Sequence, residues 1–380
     1  MALAAALMLL LHAQPKVDAV RSALGYLCAH QAENGAWGRR PATCTCAAEP
    51  RRPAAPADEA TRVRVAALIR DMNDDDPEQR LRAQKAVAAI GAPAIAQLQE
   101  AAARGEVEVR WRSAAALREI ECATTEDDVE ATGFAILAFL GAGYTPLSKD
   151  QIDGVYWIGP VVEKGLRWLI DRQRADGSFG GKDAAADAVA ALALSEALSM
   201  EPKSRTGEPA QKAVDFIVAN RASDARGLLY QGMTLKSAEL SELNFPKKTG
   251  RRVTDALAAK RGDEPSSIFV MSAIQLLKIF TTKVKGSLDF SGIPGIDPSR
   301  MEMETIYVVS LALFQFEGPG GPRWKEWNES VKRWLIPRQQ QGGGRCDRGS
   351  WEAAGTRERL RSAAQGALSR EIYYIYAIEK

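Results

Sequence analysis

Two stretches of this chain carry one local instruction, and that instruction limits the folds open to it. GYLCAHQAENGAWG (25–38) and RWLIDRQRADGSFG (167–180) each end an apolar helical run in a glutamine. After a three-residue spacer comes a glycine, then one residue, an aromatic and a second glycine. The pattern Q-x-x-x-G-x-[W/F]-G places Gln31, Gly35 and Trp37 in the first copy and Gln173, Gly177 and Phe179 in the second. A looser copy runs from Trp334 through RQQQGGGRCDRGSW to Trp351, and RGLLY (226–230) reads as a fourth that has lost its glutamine. The physics is legible. A glycine tolerates the left-handed turn that ends a helix, the aromatic folds back over the exposed helix end, and the glutamine amide satisfies loose backbone groups. The expectation is a packing clasp between successive helices rather than a reactive site.

The segments between the clasps are helical as well. Apolar residues recur at helical spacing, as in Val17, Val20, Leu24 and Leu27 or Leu166, Leu169 and Ile170, and no convincing two-residue alternation competes with them. The chain is therefore expected to be all-α. Between the first and second clasps its character changes. A Pro- and Arg-rich stretch (50–57) leads into 58–122, where Asp76-Pro77 starts a helix, Gly91 and Pro93 stop and restart one, and Arg104-Gly105 makes a turn. Four short helices in two hairpins are expected there. The division that follows is 14–49 for the first clasp repeat, 50–57 for a linker, 58–122 for an insert and 123–380 for the remainder.

Composition closes off several functions. The formal net charge is +2 with acids and bases interleaved, so no nucleic-acid surface is expected. Residues 1–13 contain an apolar run too short to span a bilayer but of signal-peptide length, so an exported protein is expected if they are cleaved and a cytoplasmic one if they form a buried helix. No other stretch is apolar enough for a transmembrane segment. Cys28, Cys44, Cys46, Cys122 and Cys346 are too few and scattered for a disulfide framework.

The glutamine-tryptophan clasps resemble the QW repeats of squalene-hopene cyclases and their relatives. Residues 74–121, with Pro after acidic residues, an alanine-rich helix, IGAPAI and VRWRSAAAL, resemble HEAT repeats. The C-terminal third, METIYVVSLALFQF (303–316), WKEWNESVKRWLIPRQ (324–339) and GSW (349–351), looks like a group of bacterial squalene-cyclase-like proteins that are often exported. These resemblances imply an α/α toroid of the terpenoid-cyclase and prenyltransferase type, with inner and outer helices around a central cavity. Inner helices would begin near Val129, Asp183, Ser267, Met301 and Arg357. The HEAT-like insert would occupy the loop after the first clasp.

The chemistry of that family is testable residue by residue. Class II cyclases protonate an alkene or epoxide with a D-x-D-D acid, which needs crowded carboxyls to be strong enough. This chain lacks the motif. Asp187 could match its last position, but Ala184, Ala185 and Ala186 precede it, and Asp183 with Asp187 fits a helix cap and a charge matched to the helix dipole. Protein prenyltransferases of the same class hold zinc with Asp, Cys and His. The candidates here are Cys28, His30, Cys44 and Cys46, the bland alternative being a buried Cys28 with a loop disulfide or free thiols at 44 and 46. Asp74, Asp75 and Asp76 read more simply as a solvated helix start than as a metal site. Trp157, Phe269 and Tyr307, with Tyr156, Tyr373, Tyr374 and Tyr376, would line a cavity or fill an ordinary core. No cofactor is called for. The expectation is a non-catalytic binding or scaffold protein, with protein partners on the HEAT-like insert. The alternative is a carrier or enzyme holding an apolar isoprenoid in the toroid cavity.

Overall fold

The computed structural model describes residues 15–38, 58–121, 126–262, 267–281, 297–341, 347–353 and 356–375. The expectations for residues 1–13 and for Cys44 and Cys46 lie outside them. The described residues are all-α but for one hairpin, in which strand β1 (Gln151–Ile152) pairs antiparallel with β2 (Tyr156–Trp157). The chain divides into two compact units, residues 39–124 and the rest.

In the larger unit, α1 (Pro15–Ala29) precedes the division and the other helices follow it: α6 (Glu126–Gly141), α7 (Ile158–Arg172), α8 (Ala184–Met200), α9 (Gly207–Ala219), α10 (Ala225–Leu240), α11 (Lys248–Ala259), α12 (Ile268–Thr281), α13 (Met303–Glu317), α14 (Pro322–Leu335) and α15 (Thr356–Ile375). Two kinds of sequence make two kinds of helix. In α8 every residue from Ala188 to Ser195 is buried, and α10 and α13 are buried on all faces in the same way. Such helices must be surrounded by protein. In α11, by contrast, only Thr249, Val253, Thr254 and Leu257 are buried, and in α14 only Trp324, Trp327, Asn328, Val331 and Leu335, one stripe each.

Packing follows that division. Helix α6 packs on α8, α8 on α10, α10 on α12, α12 on α13, α13 on α15, and α15 back on α6, so the series of neighbours closes on itself. The one-striped helices lie against this series: α7 on α6, α9 on α8, α11 on α10 and α12, and α14 on α13. Helix α1 lies on α15. The structure corrects one sequence reading. RGLLY (226–230) is no clasp but the first turns of α10, which Asp224 starts by accepting the Gly227 N–H at 2.8 Å.

The smaller unit holds α2 (Glu59–Asp71), α3 (Pro77–Ile90), α4 (Ile95–Arg104) and α5 (Val107–Glu121). Its helix starts are local chemistry. Asp58 accepts the Thr61 N–H at 2.6 Å, and Asp76, followed by Pro77, accepts the Glu78 N–H at 2.9 Å. Val65, Met72, Ala83, Val87, Ala94, Leu98, Ala116 and Ile120 form its core.

Candidate functional site

Three clasps share one geometry. The side-chain Nε2 of Gln31 donates to the carbonyls of Gly35 (3.0 Å) and Val161 (2.9 Å), and that of Gln173 to those of Gly177 (3.2 Å) and Pro209 (2.9 Å). Gln339 does the same to Gly349 (2.9 Å) and Ala19 (2.7 Å). Each amide thus joins its own turn to another helix, α7, α9 and α1 respectively. The last of these ties the C-terminal third of the chain to α1. Gly35, Gly177 and Gly349 have φ of 97°, 91° and 89°, and a Cβ at any of them would run into the carbonyl of Lys164, Lys212 or Ser22. Only glycine meets both demands. Trp37 and Trp351 are buried and donate their Nε1–H to Leu27 (2.7 Å) and Leu335 (2.8 Å).

The repeat geometry also shows what Asp187 does. Its Oδ1 accepts the backbone N–H of Phe179 at 2.7 Å and of Gly181 at 3.2 Å. In the first clasp the matching aromatic, Trp37, gives its backbone N–H to Thr132 Oγ1 at 2.9 Å. Asp187 therefore stands where the earlier repeat has a threonine, as an anchor for the returning loop. Burial pushes its carboxyl up, against the two amides that favour the ionised form. Asp183 is exposed and caps α8, accepting the Ala186 N–H at 2.8 Å.

Charged residues from five helix starts converge in one network that the sequence did not reveal. Glu130, in the first turns of α6, is 1% exposed and pairs with Arg226 of α10. Lys182, just before α8, and Arg361 of α15 each stand 3.4 Å from the same carboxylate. Arg226 Nε also donates to both oxygens of Glu304 on α13, at 2.8 and 3.0 Å, and the Tyr230 hydroxyl donates to Glu304 at 2.7 Å. Burial alone would raise the Glu130 carboxyl, but Arg226, Arg361 and Lys182 outweigh it and hold it below the usual glutamate range. Asp128 and Arg357 add a pair at 3.4 Å. One signal could have found this set: each of Glu130, Arg226, Glu304 and Arg361 is ionisable and sits at the start of a helix with buried residues on every side.

The remaining candidates are scattered. Trp157 is 52% exposed on the β1–β2 hairpin, Phe269 is half-buried in the first turn of α12, and Tyr307 is buried in α13. Burial, Glu196 and Glu371 push the Tyr307 phenol up. The side chains of Tyr373 and Tyr374, and all of Tyr376, lie outside the described residues. Cys28 is buried, and burial followed by the charge of Asp153 pushes its thiol up to about 12. His30 is buried with Nδ1 2.7 Å from the Tyr26 carbonyl and its ring against Tyr26. Among the described residues no three His, Cys, Asp or Glu side chains gather as a metal site would require, and no helix is long and apolar enough to cross a membrane. No family model, curated protein or solved structure matches the chain.

Proposed function

We propose that the larger unit is an α/α toroid of the squalene-cyclase-like kind that has kept its clasps without the acid chemistry, and that the protein works as a non-catalytic binding or scaffold protein. The closed series α6, α8, α10, α12, α13, α15 supports the toroid reading, since it would be the inner layer, and the one-striped helices α7, α9, α11 and α14 would be the outer one. One observation carries the loss of catalysis: Asp187, the residue nearest to a cyclase acid, is a backbone anchor whose counterpart is Thr132. The Asp187 Oδ1 is taken up by the Phe179 and Gly181 amides. The buried carboxylate at the start of α6, Glu130, is surrounded by three cations that favour its ionised form, which is the wrong state for a proton donor. Fold analogy alone would not carry this reading, because one scaffold hosts many activities.

The smaller unit would supply the interaction surface, as stacked helical hairpins do elsewhere. On α5, Val107 and Trp111 are one turn apart and 74% and 58% exposed, an apolar pair on the solvent side of the helix with the Arg112 guanidinium 5.4 Å from the Trp111 ring centre.

The test is Asp187→Thr, the substitution the first repeat already carries. Purified protein incubated with squalene or a polyprenyl diphosphate is expected to yield no cyclised or transferred product, with the wild type and Asp187→Thr alike and equally folded. Turnover by the wild type that Asp187→Thr abolishes would overturn the reading.

A further inference from the structure

Among the described residues of the larger unit, five large apolar side chains are exposed, and all five lie at one end of it: Leu147, Val155, Trp157, Met200 and Leu240, between 37% and 74% exposed. The topology puts them there. Helices α6, α8 and α10 pack in succession, and their starts meet at the charges of Glu130, Lys182 and Arg226. With starts together and lengths of 16 to 17 residues, about 25 Å, they all end on the opposite face. Met200 and Leu240 are the last residues of α8 and α10, Leu147 follows α6, and Val155 and Trp157 belong to the hairpin between α6 and α7. Two contacts tie these ends together. The Ser241 hydroxyl donates to the Ser195 carbonyl at 2.8 Å, and Leu147 shares a groove with Glu201 and Pro202.

The hairpin presents its apolar residues rigidly. Both central residues of its turn, Asp153 and Gly154, have positive φ, the Arg21 guanidinium donates to the Gln151 carbonyl at 2.6 Å, and the Ile158 N–H donates to the Asp150 carbonyl at 3.0 Å. The same face carries cations that the protein leaves unmatched. Lys247, Lys248, Arg251 and Arg252 stand at the start of α11, all exposed, and none pairs with a described carboxylate. A helix start is where the dipole opposes positive charge, and neither an acid in the first turn nor a side-chain cap offsets it in α11. The other charges of this face, Lys149, Asp150, Asp153, Glu201, Lys203 and Glu242, are of both signs and spread over three loops.

We propose that this face docks on the surface of an anionic lipid bilayer, with the five apolar side chains set into the headgroup layer and the α11 cations on the lipid anions. The apolar side chains stand on helix ends and a hairpin rather than in one groove. A soft lipid surface takes such separate projections, where a rigid partner would need a matching pocket for each. Tryptophan together with lysine and arginine is also the residue set that the edge of an anionic bilayer favours. A second copy packed face to face would instead bring the same unmatched cations together. None of these residues belongs to a clasp or to the charge network, so the proposal stands independently of the catalytic reading.

The test is flotation of the full chain with phosphatidylcholine vesicles, with and without phosphatidylserine. Binding is expected to the anionic vesicles and to be about tenfold weaker to the neutral ones, with the difference shrinking in high salt. Leu147→Ser with Trp157→Ser removes apolar surface that is already exposed, so the thermal midpoint is expected to stay where it is while binding falls about tenfold. Lys248→Glu with Arg252→Glu is expected to remove the preference for anionic vesicles. Val107→Ser with Trp111→Ser, in the smaller unit, is expected to change nothing, which separates the two exposed apolar surfaces. No flotation, equal flotation with both vesicles, full binding by a folded Leu147→Ser Trp157→Ser protein, or loss of binding through Val107→Ser with Trp111→Ser would each overturn the proposal. So would dimerisation in lipid-free solution that Leu147→Ser with Trp157→Ser abolishes, because a second copy would then occupy the face.

Discussion

The two units bury charge to different depths. In the smaller unit Arg82 with Glu78, and Arg104 with Glu100, have side chains 65% to 85% exposed, and even Glu108, which pairs with the more buried Arg80 and Arg112, keeps its carboxylate side chain 40% exposed. In the larger unit Glu130 is buried among Arg226, Arg361 and Lys182, and Glu304 is shared by Arg226 and Tyr230. Exposed pairs gain little because water screens them and two long side chains must be ordered. A buried network is different, since removing one member strands the others away from water. The smaller unit is thus held by a small apolar core, whereas the starts of the larger unit's buried helices depend on charges that match.

That contrast can be broken by substitution, beginning with the largest effect. Glu130→Ala leaves three cations around an empty space and is expected to cost about 3–5 kcal/mol in denaturant unfolding. The sign of its pH dependence follows from the direction of the shift. Because the folded carboxyl lies below its unfolded value, its contribution is present above the unfolded value and is lost as pH falls through the folded one. The gap between wild type and Glu130→Ala should therefore narrow in acid.

In the smaller unit Leu98→Ala opens the core and is expected to cost about 2–4 kcal/mol, a larger share of that unit's stability, read as an earlier protease-sensitive transition. Gly349→Ala should cost about 1–3 kcal/mol in the larger unit, from a positive φ, with the contact to the Ser22 carbonyl adding to it. Glu371 sharpens the comparison in the other direction. It is buried in α15 with both oxygens unpartnered, and burial raises its carboxyl well above the ordinary value. Tyr307 and Tyr144, which respond to its charge, and Glu196 beside Tyr307 are the titratable groups nearby. A raised folded value means that stability is lost as pH climbs from the unfolded value toward the folded one, by about 1.4 kcal/mol per pH unit. Glu371→Gln should match the wild type near pH 4 and exceed it at pH 8. The smallest effect is expected from Arg82→Ala, which should leave the unfolding midpoint where it was.

The helical class was legible because apolar spacing is a local signal, and the first two clasps were legible because glutamine, glycine and aromatic fall within seven residues. The third was disguised. The backbone pairing of Gln340 with Ser350 and Gly349 is the same as that of Ala32 with Ala36 and Gly35, but eight residues of sequence separate Gln340 from Gly349 where two separate Ala32 from Gly35. With three glutamines in a row, sequence spacing could not select Gln339. RGLLY misled because a glycine near an aromatic also fits a helix start, and the cap at Asp224 decides which. The charge network was beyond any local pattern, since its partners lie 52 to 231 residues apart. What made Asp187 interpretable was not its own neighbourhood but Thr132, visible as its counterpart only when the two repeats are laid over each other in space.

The most direct measurement of the central claim is the titration of Glu130 itself, followed by carbon-13 NMR of side-chain carboxyls in glutamate-labelled protein, with Glu130→Gln identifying the signal. The account predicts a carboxylate that remains ionised below the ordinary glutamate range of about 4.3. A midpoint at or above that range would contradict it, because the larger unit would then hold at its helix starts a carboxylic acid with a proton to give.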